Sequence, residues 1–273
     1  MTDSPDLADF ELALLTDVGC ERSNNEDFCG HCVESPKELV LAVADGVGGY
    51  DGGEVASQMA VEVTLAAYHE SAASLGPAKR LYRAVQRANI EIYNRSLAVP
   101  ELRRMATTLT AAAVAEGTLY AVHIGDCRLY LIRGGRIQQM TKDHTVIGER
   151  LRMGMISEKD ARNHPERSAL SRCLGRELIA SLDRITMPLR AGDRVIVCTD
   201  GLHGMLEDRE IDQLSRNLTP SEACRKFIEK AIERGARDNV TTAVLIAHNG
   251  STTADLPAGG WRERLRGLLR RGR

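Results

Sequence analysis

Short runs rich in Val, Ile, Leu, Ala and Tyr recur along the chain at Leu39–Ala44, Leu109–Ala115, Leu119–Ile124, Arg128–Ile132, Arg194–Cys198 and Val240–Ala247. Their length and their flanking Gly, Asp and Asn residues mark them as strands. The stretch "IRGGR" (132–136) predicts a hairpin turn joining Arg128–Ile132 to Ile137–Met140. Apolar positions instead recur at helical spacing through Glu54–Glu70 and Ala78–Arg95, which predicts two successive helices. A third helix is expected from Pro220 to about Arg234. Thr219 supplies its N-cap, Pro220 its first turn and Glu222 the reciprocal cap, and Gly235 ends it. Helices come in one block and strands in another, so the fold class expected is α+β rather than alternating βαβ.

A chain of 273 residues can bury a substantial core. No apolar run approaches the ~18 residues that span a bilayer. The acidic start "MTDSPDLADFELALL" lacks the basic region of a secretory signal. Seven scattered cysteines, an odd number, fit a reducing compartment better than a disulfide framework. A cytoplasmic protein is the expectation. Charge is uneven: the last thirteen residues, "WRERLRGLLRRGR", carry six arginines and one glutamate, which leaves −7 on residues 1–260 for a total of −2. An acidic body gives no support to nucleic-acid binding. Residues 1–10 read as a tail and 11–247 as one domain, with 248–260 a Gly/Ser/Thr/Pro-rich linker. In 261–273, Trp261, Leu265, Leu268 and Leu269 fall on one helical face among arginines, the pattern of a basic amphipathic helix for an anionic membrane surface or a partner groove; a disordered solubilising tail is the alternative.

Three of the apolar strands end on an aspartate beside a glycine: "LVLAVADG" (Asp45), "LYAVHIGD" (Asp126) and "RVIVCTDG" (Asp200). Asp238 stands just before a strand in "ARDNVTTAVLI", and "SNNEDFC" adds Glu26 and Asp27. A single aspartate at a strand end is ordinary turn chemistry. If the strands are neighbours in a sheet, however, the carboxylates gather at one rim. Two such charges ~4 Å apart repel by ~4 kcal/mol at an effective dielectric of ~20, so a cluster must protonate or hold cations. All-oxygen donors without clustered His or Cys select Mg²⁺ or Mn²⁺, and two such ions sharing a carboxylate make a hydrolytic centre. The loop "VADGVGGYDGGE" would otherwise suggest a nucleotide site, but it opens on a carboxylate and lacks a P-loop lysine.

The segments "DVGCERSNNEDFCG", "VADGVGGYDGGEVAS", "MATTLTAAAV", "VHIGDCRLYLIRGGRIQQMTKDHTV", "HPERSALSRCLG", "CTDGLHGML" and "ARDNVTTAVL" fall in the order found in the metal-dependent serine/threonine protein phosphatases, the PPM or type 2C family, in its bacterial form. The resemblance covers about residues 11–247. It implies a central sandwich of two antiparallel sheets flanked by helices, with two Mn²⁺ or Mg²⁺ ions in a cleft at one end and a third at a weaker site. Under it, Asp45 resembles the carboxylate bridging both metals and Gly46 lends its carbonyl to one of them. Asp200 and Asp238 look like ligands of the other metal, and Asp126 with Asp200 like the third site. Asp27 resembles a carboxylate holding metal-bound water, and Arg22 the arginine that grips the substrate phosphate. Segment 148–170 is similar to the family's flap. The implied partners are phosphorylated proteins and a cognate serine/threonine kinase, with the phosphatase a monomer.

Two departures stand out. Many relatives carry histidine after the Asp-Gly or the Gly-Gly of the opening motif, where this chain has Val47 and Tyr50. Tyr50 or a water would then contact the leaving oxygen. Some members place an aspartate where this chain has Gly204. A weakly active phosphoprotein-binding module on the same fold is therefore the competing expectation. Cys29-Gly30-His31-Cys32 has no second pair at zinc spacing and reads as part of an edge strand. His123 and His203, near strand-end aspartates, read as packed or solvated histidines rather than ligands.

Overall fold

The computed structural model describes residues 9–47, 52–162 and 164–249. In chain order the elements are β1 (Phe10–Asp17), β2 (Asp27–Ser35), β3 (Glu38–Asp45), α1 (Gly53–Glu70), α2 (Pro77–Ala98), β4 (Leu109–Ala115), β5 (Thr118–Ile124), β6 (Arg128–Arg133) and β7 (Arg136–Gln139). They continue with α3 (Val146–Arg152), α4 (Glu158–Arg162), β8 (Asp183–Pro188), β9 (Arg194–Cys198), α5 (Asp200–His203), α6 (Asp208–Ser215), α7 (Pro220–Glu233) and β10 (Val240–Ala247). The strands form two five-stranded antiparallel sheets, ordered β1-β10-β9-β6-β7 and β2-β3-β4-β5-β8.

Alternation along each strand sends its side chains to two different interiors. Leu39, Leu41, Val114 and Leu119 of one sheet meet Leu12, Leu129, Val195 and Leu245 of the other. The intervening residues Val40, Ala42, Ala111 and Val122 face Ala56, Val61, Leu81 and Val85 of α1 and α2. On the far side Tyr130, Ile196 and Val244 pack against Ala223, Phe227 and Ala231 of α7. The result is an α-β-β-α sandwich, the expected α+β class. Central strands covered on both faces explain the continuous apolar runs in the sequence.

Local expectations hold where side-chain chemistry is explicit. Gly134 and Gly135 both adopt left-handed backbone (φ 56° and 71°), as a tight β6–β7 hairpin requires. Thr219 Oγ1 accepts from Glu222 N, and Thr219 N donates to Glu222 Oε2 at 2.9 Å, which closes the capping box of α7. Cys29 and Cys32 lie on the edge strand β2, Cys29 against the inter-sheet core and Cys32 against the helix layer, and both are free. No helix among the described residues is long and apolar enough to cross a membrane. Tyr50, residues 1–8 of the N-terminal tail, and almost all of the linker and basic tail (250–273) lie outside the described residues.

Candidate metal centre

The aspartate-bearing strands are neighbours in pairs, divided between the two sheets. Asp27 opens β2 and Asp45 closes β3 in one sheet, whereas Asp200 follows β9 and Asp238 precedes β10 in the other. Asp126 sits in the connection from β5 to β6, where the chain passes between sheets. The carboxylates thus meet across the end of the sandwich, not along one rim. Thr199, beside Asp200, donates its hydroxyl to Asp27 Oδ2 at 2.8 Å and links the two sheets directly.

Backbone contacts hold the Asp45–Gly46 step. Asp45 O accepts from Thr107 Oγ1 at 2.7 Å and from Thr108 N at 2.9 Å, while Asp45 N donates to Thr108 Oγ1 at 3.0 Å. Gly46 N donates to Glu26 O at 3.0 Å. A Cβ on Gly46 would lie 2.5 Å from the Gly53 backbone, so only glycine lets α1 start this close to β3. Asn239 is the corresponding organiser on the other sheet. Its Oδ1 accepts from Glu26 N at 2.8 Å, and its Nδ2 donates to Val18 O and Asn24 O at 2.9 Å each. This folds the 18–26 loop over β10 and lets Arg22 Nη2 donate to Asp238 Oδ2 at 2.9 Å.

The cluster is electrostatically unfavourable as it stands. Burial, then Asp27, Asp200, Asp126 and Asp238, push the Asp45 carboxyl well above the ordinary carboxylate range. Burial likewise raises Asp27 to about 7, although hydroxyls of Thr241 and Thr199 oppose the shift and Asp200 and Asp238 add to it. Asp200 rises to about 6 through burial and Asp238, moderated by Arg22, Arg167 and Arg128. Asp126 is raised by burial, Asp200 and Asp143. Burial pulls Arg22 down, but Asp238, with Glu26 and Asp45, holds its pKa above the ordinary value.

These residues fit a hard divalent cation in chemistry. They offer carboxylates in excess of nearby cations, drawn from two sheets and dry enough that each disfavours its neighbour's charge. Among the described residues no three His, Cys, Asp or Glu side chains yet converge as a preformed ligand shell, and Asp238 Oδ2 is engaged by Arg22. Backbone carbonyls and water would complete such a shell, as hard cations allow.

The sequence profile of the family described as Protein phosphatase 2C matches residues 21–245. The chain belongs to the protein phosphatase 2C family. It is 36% identical over 234 residues to the serine/threonine phosphatase stp of Listeria innocua, covering 84% of this chain and 93% of the relative. The crystal structure of the Mycobacterium tuberculosis serine/threonine phosphatase PstP/Ppp superposes with a TM-score of 0.80 at 35% identity, over 88% of this chain and all of that one. The catalytic domain of a serine/threonine protein phosphatase PstP in complex with two manganese ions superposes with a TM-score of 0.76 at 34% identity, over 88% of this chain and 99% of that one.

Within this family member the structure brings together Arg22, Asp27, Asp45, Gly46, Asp126, Asp200 and Asp238; Tyr50 is outside the described residues. The histidines near the cluster are packed. His123 is fully buried between Thr110 Oγ1 (2.8 Å) and Lys142 O (3.1 Å), and His203 Nε2 donates to Asp126 O at 3.0 Å. Burial lowers both to about 4, so they stay neutral and hold backbone. Sequence reasoning missed the residues that hold the carboxylates: Thr107, Thr108, Thr199 and Asn239. The "TTLT" and "CTDG" segments carry these hydroxyls, but nothing in their spacing says which one reaches across the sandwich. Arg167, in "HPERS", also acts on Asp200 and belongs to the charge balance of the cleft.

Proposed function

We propose that this chain hydrolyses phosphoserine and phosphothreonine in proteins at a binuclear Mn²⁺ or Mg²⁺ centre held by Asp45, Gly46, Asp200 and Asp238, with Asp126 and Asp200 at a third, weaker site. The observation that carries the reading is the buried, mutually repelling carboxylate set drawn from both sheets of a protein phosphatase 2C fold. Bound there, such cations neutralise the cluster, polarise phosphoryl oxygens and make water nucleophilic near neutral pH. The chain's own residues do the rest. Arg22, still 44% exposed at its side chain, presents guanidinium N–H groups to a phosphate while Asp238 orients it. Asp27, fixed by the Thr199 hydroxyl, orients water at its carboxylate. Segment 148–170, containing most of α3 and all of α4, acts as a flap beside the cleft and brings Arg167 toward Asp200. No nucleophilic side chain is required.

The reading extends to a cytoplasmic monomer that opposes a serine/threonine kinase, with the basic residues 261–273 contacting an anionic membrane surface or a partner. Hydrolysis of a phosphothreonine peptide with Mn²⁺, with EDTA, and by Asp45→Asn and Asp238→Asn variants tests the core of it. Turnover that is metal-independent or unchanged in the variants would sink the mechanism. Metal binding without turnover of several phosphopeptides would favour the phosphoprotein-binding module.

A further inference from the structure

Helix α2 packs on β4 and β5, and beyond it the edge strand β8 keeps part of its helix-side face open. Tyr120 pairs with Thr186, and Val122 with Arg184, so these four residues share that face. With the first turns of α2 they enclose an open cleft of about 560 Å³. Lys79, Arg83 and Arg184 line it together with Tyr82 and Tyr120, and no carboxylate lines it. The Arg184 guanidinium lies 5.3 Å over the Tyr82 ring, which holds the cation at the cleft wall.

Next to the cleft, side chains of α2 bond the backbone that leads into β8. One turn along α2, Gln86 Nε2 donates to Ala180 O at 2.7 Å and Gln86 Oε1 accepts from Ala180 N at 3.3 Å. Asn89 donates to Glu177 O and Leu178 O and accepts from Gly175 N at 2.9 Å. The segment leading into β8 is thereby fixed to the helix, and it displays Leu178 and Ile179, 53% and 72% exposed, to solvent.

We infer that this cleft docks an extended acidic segment of a partner protein, with apolar side chains at one end resting on Leu178 and Ile179. Charge complementarity decides the occupant: three cations without a carboxylate in the lining need an anion, and the chain's own basic tail would be repelled. A recess between a helix and a strand does not meet a flat bilayer, and the tyrosine-lined floor on a body of net charge −7 is not a nucleic-acid surface. The partner we assign is the phosphoprotein substrate, a step that rests on the phosphatase reading. Docking outside the metal cleft would raise the local concentration of the phosphorylated residue.

The experiment has two arms. In the first, a fluorescent unphosphorylated Asp/Glu-rich peptide ending in Leu-Phe is titrated with the full chain in EDTA, which needs no catalysis. Binding that weakens with salt and is lost in Arg83→Glu/Arg184→Glu is expected. In the second, phosphothreonine peptides carry the same segment through Gly-Ser linkers of graded length. The extension should lower KM by about tenfold at the best length, the size three exposed ion pairs supply together, and kcat should hold. The double variant should erase that gain and leave hydrolysis of the unextended peptide unchanged. No peptide binding in the first arm overturns the proposal whatever the second shows. Binding of ATP in place of the peptide assigns the cleft to a small anion and overturns it. Tighter peptide binding after deletion of residues 1–8 assigns the cleft to the chain's own acidic N-terminus, with the same consequence. Peptide binding without any phosphatase activity leaves docking standing and removes the phosphatase reading.

Discussion

Asp27 and Asp45 are register partners at the open end of the β2–β3 ladder, so two carboxylates stand opposite each other on adjacent strands. Like charges in that position are destabilising, and burial makes them worse. Asp27 is raised to about 7 and Asp200 to about 6, above the ~3.9 of an unfolded aspartate. The folded, metal-free protein therefore holds more protons than the unfolded chain, and its stability falls as pH rises through 6 to 7. Thermal melts in EDTA should show a midpoint that drops between about pH 5 and about pH 8. Mn²⁺ should restore it, with the larger gain at the higher pH and with proton release on binding. A flat EDTA profile would count against the charged cluster.

The same repulsion separates stability from activity at Asp45. Asp45→Asn removes the cost of burying or protonating this carboxylate on folding and should raise the midpoint of the metal-free protein. Phosphopeptide turnover at saturating Mn²⁺ should fall by about 10³-fold or more, the scale of several kcal/mol of lost transition-state stabilisation. A variant that is less stable in EDTA and fully active in Mn²⁺ would contradict both halves.

Gly201 tests how closely the ends of β9 and β10 are packed where they present Asp200 and Asp238. A Cβ there would fall 2.0 Å from Asn239 O, a backbone atom that cannot swing aside. Gly201→Ala should push the start of α5, and Asp200 with it, away from β10. Urea unfolding should register a loss of about 1–3 kcal/mol, the usual range for overpacking. Phosphatase activity should drop further than stability alone explains, because Asp200 and Asn239 lose their relative placement. Wild-type activity in a stable variant would mean the two strands can separate without cost.

Much of this was legible in the chain because local chemistry agreed with the final packing. The central strands are buried on both faces, so their apolar runs needed no tertiary information. The α7 capping box and the Gly134-Gly135 turn are set by neighbours in sequence. The edge strands β1 and β8 were not legible: "FELALLTD" and "DRITMP" mix polar and apolar positions, because an edge strand is only partly covered. The aspartates could be picked out by their strand-end context, but not their division between two sheets. That division follows from crossover connections and leaves no periodic trace. Thr199 was hidden for the same reason, since its partner Asp27 is 172 residues away.

Arg128 and Asp143 carry a larger share of stability than their surface-like sequence context suggests. Arg128 donates three hydrogen bonds to the Asp143 carboxylate, the shortest 2.7 Å, with both side chains about one-fifth exposed. Asp143 stays below the ordinary carboxylate range despite its burial because this arginine faces it. Arg128→Leu strands that carboxylate and should cost about 3 kcal/mol in denaturant unfolding, whereas the double variant with Asp143→Leu should recover a good part of the loss. Equal losses in the single and double variants would show that the pair is not coupled.

His144 joins three parts of the cleft through one residue. Its Nδ1 accepts from Gly125 N at 3.1 Å, its N–H donates to Gly125 O at 2.7 Å, and its carbonyl accepts from Ser171 N at 2.8 Å. Its Nε2 lies 3.3 Å from Asp183 Oδ2 at the start of β8. The turn that presents Asp126 is therefore fastened to both ends of the segment from Thr145 to Leu170, which an isolated Thr145–Leu170 bridge also closes. Burial, then Arg172, lowers the His144 pKa against the pull of Asp183, so the neutral ring can keep accepting from Gly125. His144→Ala leaves the Gly125 N–H without its acceptor, at a cost of about 1–3 kcal/mol. If Asp126 holds the weaker cation, the Mn²⁺ concentration for half-maximal activity should also rise by about tenfold, as for other residues that orient a ligand without touching the metal. His144→Asn, which retains an acceptor, should recover part of that shift, while kcat at saturating Mn²⁺ changes little in either variant. An unchanged Mn²⁺ dependence in a folded His144→Ala protein would show that this ring steadies the fold alone.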